Sequence, residues 1–180
     1  MILLTKVGKC GKMWELIGYI YAREQFSMAN FIGEFDCKID AKGRFLFPAG
    51  LKKQLDPADQ EIFVINRGFE QHLVLWPISV WESETRKLNK LNPYVKKNRE
   101  FIRMFTNGAT QLDIDGNGRL LLPKRLLRFA SISKEIVLKS FINKIEIWDK
   151  GTHDKMMNNE NDDLADLAEK VMGNSEEEKE

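Results

Sequence analysis

The sequence has few of the residues from which disulfide frameworks and metal sites are built. Its 180 residues include only two cysteines, Cys10 and Cys37, and two histidines, His72 and His153. Two cysteines do not make a disulfide framework, and no group of Cys and His has the spacing of a zinc site. Cys37 falls inside a strand-like alternation, which predicts a small buried side chain. The sequence therefore predicts no metal and no cofactor.

Long hydrophobic runs and catalytic motifs are missing as well. No run approaches the ~18 apolar residues of a membrane-spanning helix, so no membrane association is predicted. No nucleophile–base constellation is recognisable, and no glycine-rich phosphate loop of P-loop form occurs. We therefore predict that the protein is not an enzyme, has no catalytic residues and takes no small-molecule substrate.

The N-terminus faintly resembles a signal peptide, with three lysines before an apolar stretch at 13–22. Glu15 interrupts that stretch, and AREQ at 22–25 is a poor cleavage context. We interpret residues 1–27 as an extension, with Met28 as a candidate start. A cytoplasmic protein is predicted.

The charge is divided unevenly along the chain, although the whole carries only +1. Residues 160–180 contain nine acidic residues and two lysines, a net of −7, so residues 1–159 carry +8. A basic body suits a polyanionic partner such as nucleic acid, although many domains reach this charge without one. Charge alone is therefore a hint of DNA binding.

Two stretches of the chain occur twice. Residues 38–51, KIDAKGRFLFPAGL, align with 113–126, DIDGNGRLLLPKRL, at an offset of 75, and seven of fourteen positions are identical. Residues 69–76, FEQHLVLW, align with 141–148, FINKIEIW, at an offset of 72. A three-residue difference in loop length explains the change of offset. The chain is predicted to be a tandem duplication, with each copy one structural unit.

The second copy of the repeated core has the beginning of a calcium-binding loop. Asp113, Asp115 and Asn117 alternate like EF-hand ligands. A complete loop would need Glu at its twelfth position, which is Lys124. The first copy also has lysines where Asp113 and Asn117 stand in the second, and lysines cannot bind a cation. Calcium binding is therefore not predicted.

A tight turn explains the D-x-x-G-R core in both copies. Gly43 and Gly118 can adopt positive φ. Asp40 and Asp115 can accept hydrogen bonds from the amides of the turn. These four residues are predicted to brace the two turns.

Each copy is predicted to form a ββαββ unit in which a proline ends the second strand and begins a short helix. The predicted strands are at 35–39, 44–48, 61–65 and 72–76 in the first copy, and at 110–114, 119–123, 135–139 and 144–148 in the second. Helices are predicted at 79–91 and 95–105, and a weaker one after Asp149 with Leu164, Leu167, Ala168 and Val171 on one face.

The predicted division has five parts. They are an N-terminal extension at 1–30, a first domain at 31–79, a helical connector at 80–106, a second domain at 107–150, and a C-terminal helix with acidic tail at 151–180.

The pattern FIGEFDCKIDAKGRFLFP, its D-x-x-G-R core, the repeat of that core and the helical pair between the copies resemble the MraZ family. Members of that family are bacterial regulators with two domains of the SpoVT/AbrB type, and the resemblance covers about residues 31–150. It implies an α+β, β-rich fold. That fold is a pseudo-two-fold swapped-hairpin (AbrB-like) barrel from two tandem ββαββ repeats with flanking helices.

The resemblance also implies a function. Family members form ring-shaped homo-oligomers that bind short direct repeats of double-stranded DNA upstream of the division and cell-wall gene cluster. They regulate transcription of that cluster, which implies a nucleoid-associated protein.

Arg44 and Arg119, directly after the turns, are the principal candidates for DNA contact. The planar fork of an arginine can hold a phosphate or the O6/N7 edge of guanine. The alternative is that each arginine forms an internal salt bridge with the aspartate of its turn. We expect a structural role for the aspartates and DNA contact for the arginines.

Arg44 is expected to matter more than Arg119, because Lys38 and Lys42 make the first turn the more basic one. Lys124 and Arg125 are weaker candidates for phosphate contact, since a solvated helix face is the commoner role for such residues.

The aromatic residues that recur in both copies are predicted to be core or subunit-contact residues. They are Phe69, Trp76, Phe141 and Trp148. His72, near the start of a strand, is predicted to be structural or exposed.

Two other functions remain open. The protein could be an assembly protein whose repeats serve only ring formation. It could also be an antitoxin of the AbrB type with a toxin-binding tail, although the duplication argues against this, since those antitoxins usually carry one copy.

Overall fold

The computed structural model describes residues 30–59 and 61–159, together with residues 168, 169, 172 and 173. The predicted extension at 1–27 lies outside these residues, as do Leu164, Leu167 and Val171 of the predicted C-terminal helix.

Within the described part, eight strands form, four from each copy. They are β1 (Glu34–Lys38), β2 (Arg44–Leu46), β3 (Ile62–Arg67), β4 (Leu73–Pro77), β5 (Thr110–Asp113), β6 (Arg119–Leu121), β7 (Glu135–Phe141) and β8 (Lys144–Asp149). The helices are α1 (Ala49–Lys52), α2 (Ile78–Leu88), α3 (Lys96–Phe105), α4 (Lys124–Phe129) and α5 (Lys150–Asn159), with a 3₁₀ turn at Pro57–Asp59.

The strands of the two copies are interleaved. One antiparallel sheet has six strands in the order β1-β7-β8-β4-β3-β5, and a second sheet contains only β2 and β6. The first strand of each copy pairs with the third strand of the other, β1 with β7 and β5 with β3. This exchange confirms the predicted α+β fold of two AbrB-like halves.

Two further pairings join equivalent strands and create an approximate two-fold axis. In the small sheet, Phe45 lies opposite Leu120 at the centre of the β2–β6 pair. In the large sheet, Val74 lies opposite Glu146 at the centre of the β4–β8 pair. Because equivalent positions face each other, the two D-x-x-G-R turns flank one small sheet.

The hydrophobic core takes residues from both copies. Alternation along β2 and β6 directs Phe45 and Leu120 inward, with 1% and 0% of their surface exposed. Every residue of β4 is buried. Burying one large aliphatic or aromatic side chain contributes about 1.5–3 kcal/mol. Because both copies contribute to this one core, removing either copy would expose the apolar faces of the other.

The connector helices cover the opposite side of β4 from this core. Trp76 of β4 packs against Trp81 of α2 and Phe105 of α3. The Nε1–H of Trp76 donates to Oδ1 of buried Asn66 at 2.8 Å, and Nδ2 of Asn66 donates to the carbonyl of Phe105 at 2.7 Å. The connector is thus tied to the sheet by packing and by satisfied buried polar groups.

One sequence expectation changes in the structure, and the alternatives given for three ring-bearing residues are narrowed. Cys37 is half-buried rather than buried, because β1 is the outermost strand of its sheet. Phe69 and Phe141 were predicted to be core or subunit-contact residues, and their exposure near the ends of the β3–β4 and β7–β8 hairpins leaves the second alternative. His72 is buried and stacks on Trp148 with ring centroids 4.2 Å apart, and burial lowers its pKa.

Candidate nucleic-acid interface

Asp40 organises the first turn with both carboxylate oxygens. Its Oδ1 accepts hydrogen bonds from the backbone N–H groups of Lys42 at 2.9 Å and Arg44 at 3.0 Å. Its Oδ2 accepts one from Nε of Arg44 at 2.8 Å and lies 2.8 Å from Nη2. Gly43 closes the turn with φ of +89°. The hydrogen bonds, first that of the Arg44 backbone N–H, lower the pKa of Asp40 to about 2.

Asp115 organises the second turn by accepting hydrogen bonds from backbone N–H groups. Its Oδ1 accepts hydrogen bonds from the N–H groups of Asn117 at 2.8 Å and Arg119 at 2.9 Å. Gly118 has φ of +75°. The backbone N–H of Arg119 is the main reason that the pKa of Asp115 is lowered. These hydrogen bonds and φ angles are the geometry that the predicted bracing role of the aspartates and glycines requires.

The two arginines differ in how they are held. Asp40 engages Nε and Nη2 of Arg44, and among the described residues no other partner takes the remaining three of the five guanidinium N–H donors. Of the described residues, none accepts a hydrogen bond from the Arg119 side chain. Arg44 can therefore form an internal salt bridge and contact DNA at the same time, because donors remain for a second partner. The salt bridge also fixes the direction of the guanidinium.

The outward side of the small sheet combines two arginines with two leucines, and we call it the turn face. In the β2–β6 register, Arg44 lies opposite Leu121 and Leu46 lies opposite Arg119. Residues directly opposite in an antiparallel pair share a face. Leu46 is 64% exposed and Leu121 is 52% exposed, whereas their strand neighbours point into the core.

The strand exchange brings the start of α4 beside the first turn. The N–H of Leu122 donates to the carbonyl of Gly43 at 2.9 Å, and Lys124 and Arg125 follow within three residues. In the equivalent contact, Phe47 donates to the carbonyl of Gly118 at 2.9 Å. There the residues that follow are Pro48, Ala49 and Gly50, which are uncharged. The basic residues therefore concentrate at one end of the turn face.

The predicted cations around the first turn are not equally available. Lys38 makes an ion pair of 3.5 Å with Glu135 on the neighbouring strand. Nη2 of Arg125 donates to Oδ1 of Asn107 at 3.3 Å. For Lys42 and Lys124, which are exposed, the part of the chain that the structure describes offers no ion-pair partner. These two ammonium groups are the ones best placed to meet an external anion.

The two leucines of the turn face were missed as functional candidates. The signal was present in RFLFP and RLLLP, where a period of two puts the third residue on the same side as the arginine. The sequence interpretation placed these positions in the second strand of each copy and gave neither leucine a role.

Two general searches of the described residues gave no site of another kind. No helix among them is long and apolar enough to cross a membrane. They also contain no group of three or more His, Cys, Asp or Glu side chains placed to hold a metal ion.

Interleaved ββαββ copies that carry two aspartate-braced turns on one small sheet define a tandem protein of the AbrB type. A family model described as "MraZ protein, putative antitoxin-like" matches residues 30–104 and again 104–174. The chain belongs to the MraZ family.

Relatives that carry the name "Transcriptional regulator MraZ" match most of the chain. The protein of Christiangramia forsetii is 51% identical over 150 residues, which are 83% of this chain and 97% of the relative. That of Flavobacterium psychrophilum is 51% identical over 148 residues, 82% of this chain and 94% of the relative. That of Cytophaga hutchinsonii is 37% identical over 145 residues, 81% of this chain and 96% of the relative. These relatives are named as regulators of transcription and not as enzymes.

Proposed function

We propose that the protein is a sequence-specific DNA-binding transcriptional regulator that acts at the nucleoid, in the cytoplasm. Its target would be short direct repeats of double-stranded DNA upstream of the division and cell-wall gene cluster. The observation that carries this proposal is the turn face, where Asp40 holds the guanidinium of Arg44 and the other described residues leave most of its donors unused. The names of the relatives support the same role.

The turn face has the two-stranded form of a known DNA-reading element. The major groove of B-DNA admits a two-stranded β-ribbon, and β2 with β6 is such a ribbon, three residues long on each strand. In this proposal Arg44 contacts a guanine edge or a phosphate with a fork whose direction is already fixed. Lys42 and Lys124 contact the flanking phosphates. Arg119 makes the equivalent contact at the less basic end.

Lys38 and Arg125 take a smaller part in the proposal. Each already has a partner in the structure, Glu135 and Asn107 respectively. They would add to the positive potential that attracts DNA rather than make a specific contact.

The division of the chain into domains at 31–79 and 107–150 also stays a prediction.

We further infer that the protein assembles into a ring-shaped homo-oligomer. An aromatic groove of about 520 Å³ lies between the β3–β4 hairpin, the β7–β8 hairpin and α3, and it is lined by Phe69, Phe101, Met104, Phe141 and Trp148, among others. Phe69 is 81% exposed and Met104 is also exposed. Exposed apolar surfaces of this kind mark protein interaction sites.

A second copy is the occupant that fits a multi-repeat target. Ring closure needs head-to-tail contacts between different surfaces of identical chains. Several subunits that each hold one DNA repeat would convert a modest affinity per site into high occupancy.

The test is fluorescence anisotropy of the purified protein on its own upstream promoter DNA over a range of salt. Wild type is compared with Arg44→Ala and Arg119→Ala, and with Arg86→Ala as the matched control, since Arg86 is an exposed arginine of α2 outside the turn face. We expect Arg44→Ala to lose about 1–3 kcal/mol per site. A smaller loss is expected for Arg119→Ala and none for Arg86→Ala.

The outcomes separate the alternatives. Promoter-selective binding that weakens steeply with salt supports the regulator. Equal binding to scrambled DNA would reduce the turn face to a non-specific basic surface. No binding at low salt would overturn DNA recognition and leave an assembly protein, while a toxin that co-purifies would favour the antitoxin.

A further inference from the structure

We propose that Leu46 and Leu121 read thymine in the DNA target, each by contact with the 5-methyl group of the base. The inference rests on the proposed function and adds a specificity determinant to it. The arginines of the turn face can recognise guanine or phosphate, whereas the leucines would select the neighbouring base pair.

The exposure of these two leucines is the first observation. On the solvent side of a half-buried strand, polar residues are the norm. Here that side carries Leu46, 64% exposed, and Leu121, 52% exposed. The burial of Phe45 and Leu120 directly beside them shows that the strands have no register in which all these side chains could be inside.

The second observation is the position of each leucine between charged groups. Each lies directly opposite an arginine, Leu121 opposite Arg44 and Leu46 opposite Arg119. Opposite residues have Cβ atoms about 4.5–5.5 Å apart, and successive bases on one strand are about 3.4 Å apart along the helix axis. An arginine and its opposite leucine would therefore reach the same or the adjacent base pair.

The leucines are also held close to the turns. A Cβ built on Gly118 would lie 3.5 Å from Cδ1 of Leu46, and one on Gly43 would lie 3.9 Å from Cδ1 of Leu121. Each leucine thus packs beside the glycine of the turn from the other copy. Its methyl groups are presented at the surface from a fixed position.

DNA is a better partner for this surface than another protein. A stable protein interface buries about 800 Å² per partner with an apolar centre, whereas the turn face interleaves its two leucines with two arginines. On base edges in the major groove, the thymine methyl is the apolar group available. A surface of two leucines and two arginines matches an edge with thymine beside guanine.

The test compares promoter duplexes that contain thymine with identical duplexes in which uracil replaces every thymine, which removes only the methyl groups. Dissociation constants are measured by anisotropy for wild type, Leu46→Ala, Leu121→Ala and the double variant. We expect wild type to bind the uracil duplex about four-fold more weakly for each methyl group contacted. The double variant should bind both duplexes equally, and each single variant should keep part of the preference.

Ile32→Ala is the matched control, because Ile32 is an exposed aliphatic residue outside the turn face. It should keep the full thymine preference of wild type. A double variant that also kept this preference would overturn the inference, as would a wild type with equal affinity for the two duplexes. If the double variant kept the thymine preference and also had a changed native mass, the leucines would be subunit contacts, and the inference would again be overturned. Failure of wild type to bind either duplex would instead refute the proposed function.

Discussion

At the scale of the residue, Asp40 and Asp115 show that equivalent positions of a duplication can make different contacts. Both accept hydrogen bonds from two turn amides through Oδ1. Asp40 also uses Oδ2 to hold the guanidinium of its own arginine. A side chain fixed before binding loses less conformational entropy on binding. Arg44 is therefore expected to be the stronger DNA contact.

We expect Asp40→Asn to weaken DNA binding more than the matched variant Asp115→Asn. Asparagine keeps an oxygen that can accept from the turn amides but loses the charged partner of Arg44. Asp115→Asn leaves the Asp40–Arg44 pair intact. It should bind promoter DNA with an affinity close to that of wild type in an anisotropy titration. Equal losses in the two variants would show that the aspartates serve only to brace the turns.

The acid dependence of stability should reveal the same carboxylate. The pKa of Asp40 is about 2 in the folded protein, below the value of about 3.9 in an unfolded chain. Its stabilising contribution is therefore complete above about pH 5, declines as the pH falls through about 4, and is lost below about 2.

The melting temperature of wild type should exceed that of Asp40→Asn by a constant amount from about pH 8 to 5. The difference should shrink as the pH falls through 4 to 2, and Asp115→Asn supplies the comparison without the arginine pair. A difference that did not change with pH would contradict this assignment.

At the scale of the element, each turn joins two strands that pair with different partners. β1, which precedes the first turn, pairs with β7, while β2, which follows it, pairs with β6. The turn itself is closed by the N–H of Asp40, which donates to the carbonyl of Arg44 at 2.8 Å. A tight turn with positive φ at Gly43 is required because the chain must change sheet within a few residues.

Gly43→Ala is expected to destabilise the protein by about 1–2 kcal/mol, the cost of positive φ for a residue with Cβ. The added Cβ would also lie 3.1 Å from the carbonyl oxygen of Leu122. Gly116→Ala is the control in the other turn, since nothing lies within 4 Å of its Cβ. It should change the free energy of unfolding by less than about 0.5 kcal/mol. Urea denaturation measures both, and equal effects would contradict the strain argument.

At the scale of the whole molecule, the turn face and the aromatic groove use different parts of the fold. The turn face lies on β2 and β6, whereas the groove is lined by residues of α3, of α5 and of the β3–β4 and β7–β8 hairpins. DNA contact and self-association are therefore expected to be separable by mutation.

We expect Phe69→Asp to lower the oligomeric mass measured by light scattering, because a carboxylate would replace an aromatic ring in the proposed contact between copies at the aromatic groove. Tyr94→Asp is the matched control, since Tyr94 is 91% exposed and does not line the groove. Binding to a single DNA repeat should persist in Phe69→Asp, while the gain from several repeats should be lost. An unchanged mass would show that the groove is not the subunit contact.

The sequence alone was sufficient for the duplication, for the two turns and for most of the strands. The shared D-x-x-G-R core and the alternation of strands such as RFLFP depend on local backbone geometry, which a short stretch of sequence specifies. The same locality explains the errors. Cys37 was predicted to be buried from alternation alone, and its half-exposure follows from the edge position of β1.

Only the tertiary structure decided which strands meet. The β1–β7 pair joins residues as distant in sequence as Glu34 and Lys139, and no local pattern specifies such a partner. That exchange places Lys124 beside the first turn, and it leaves Leu46 and Leu121 together at the surface. The local sequence therefore determined the parts of the candidate site, whereas long-range strand pairing, driven by burial of a core shared between the copies, determined how they are assembled.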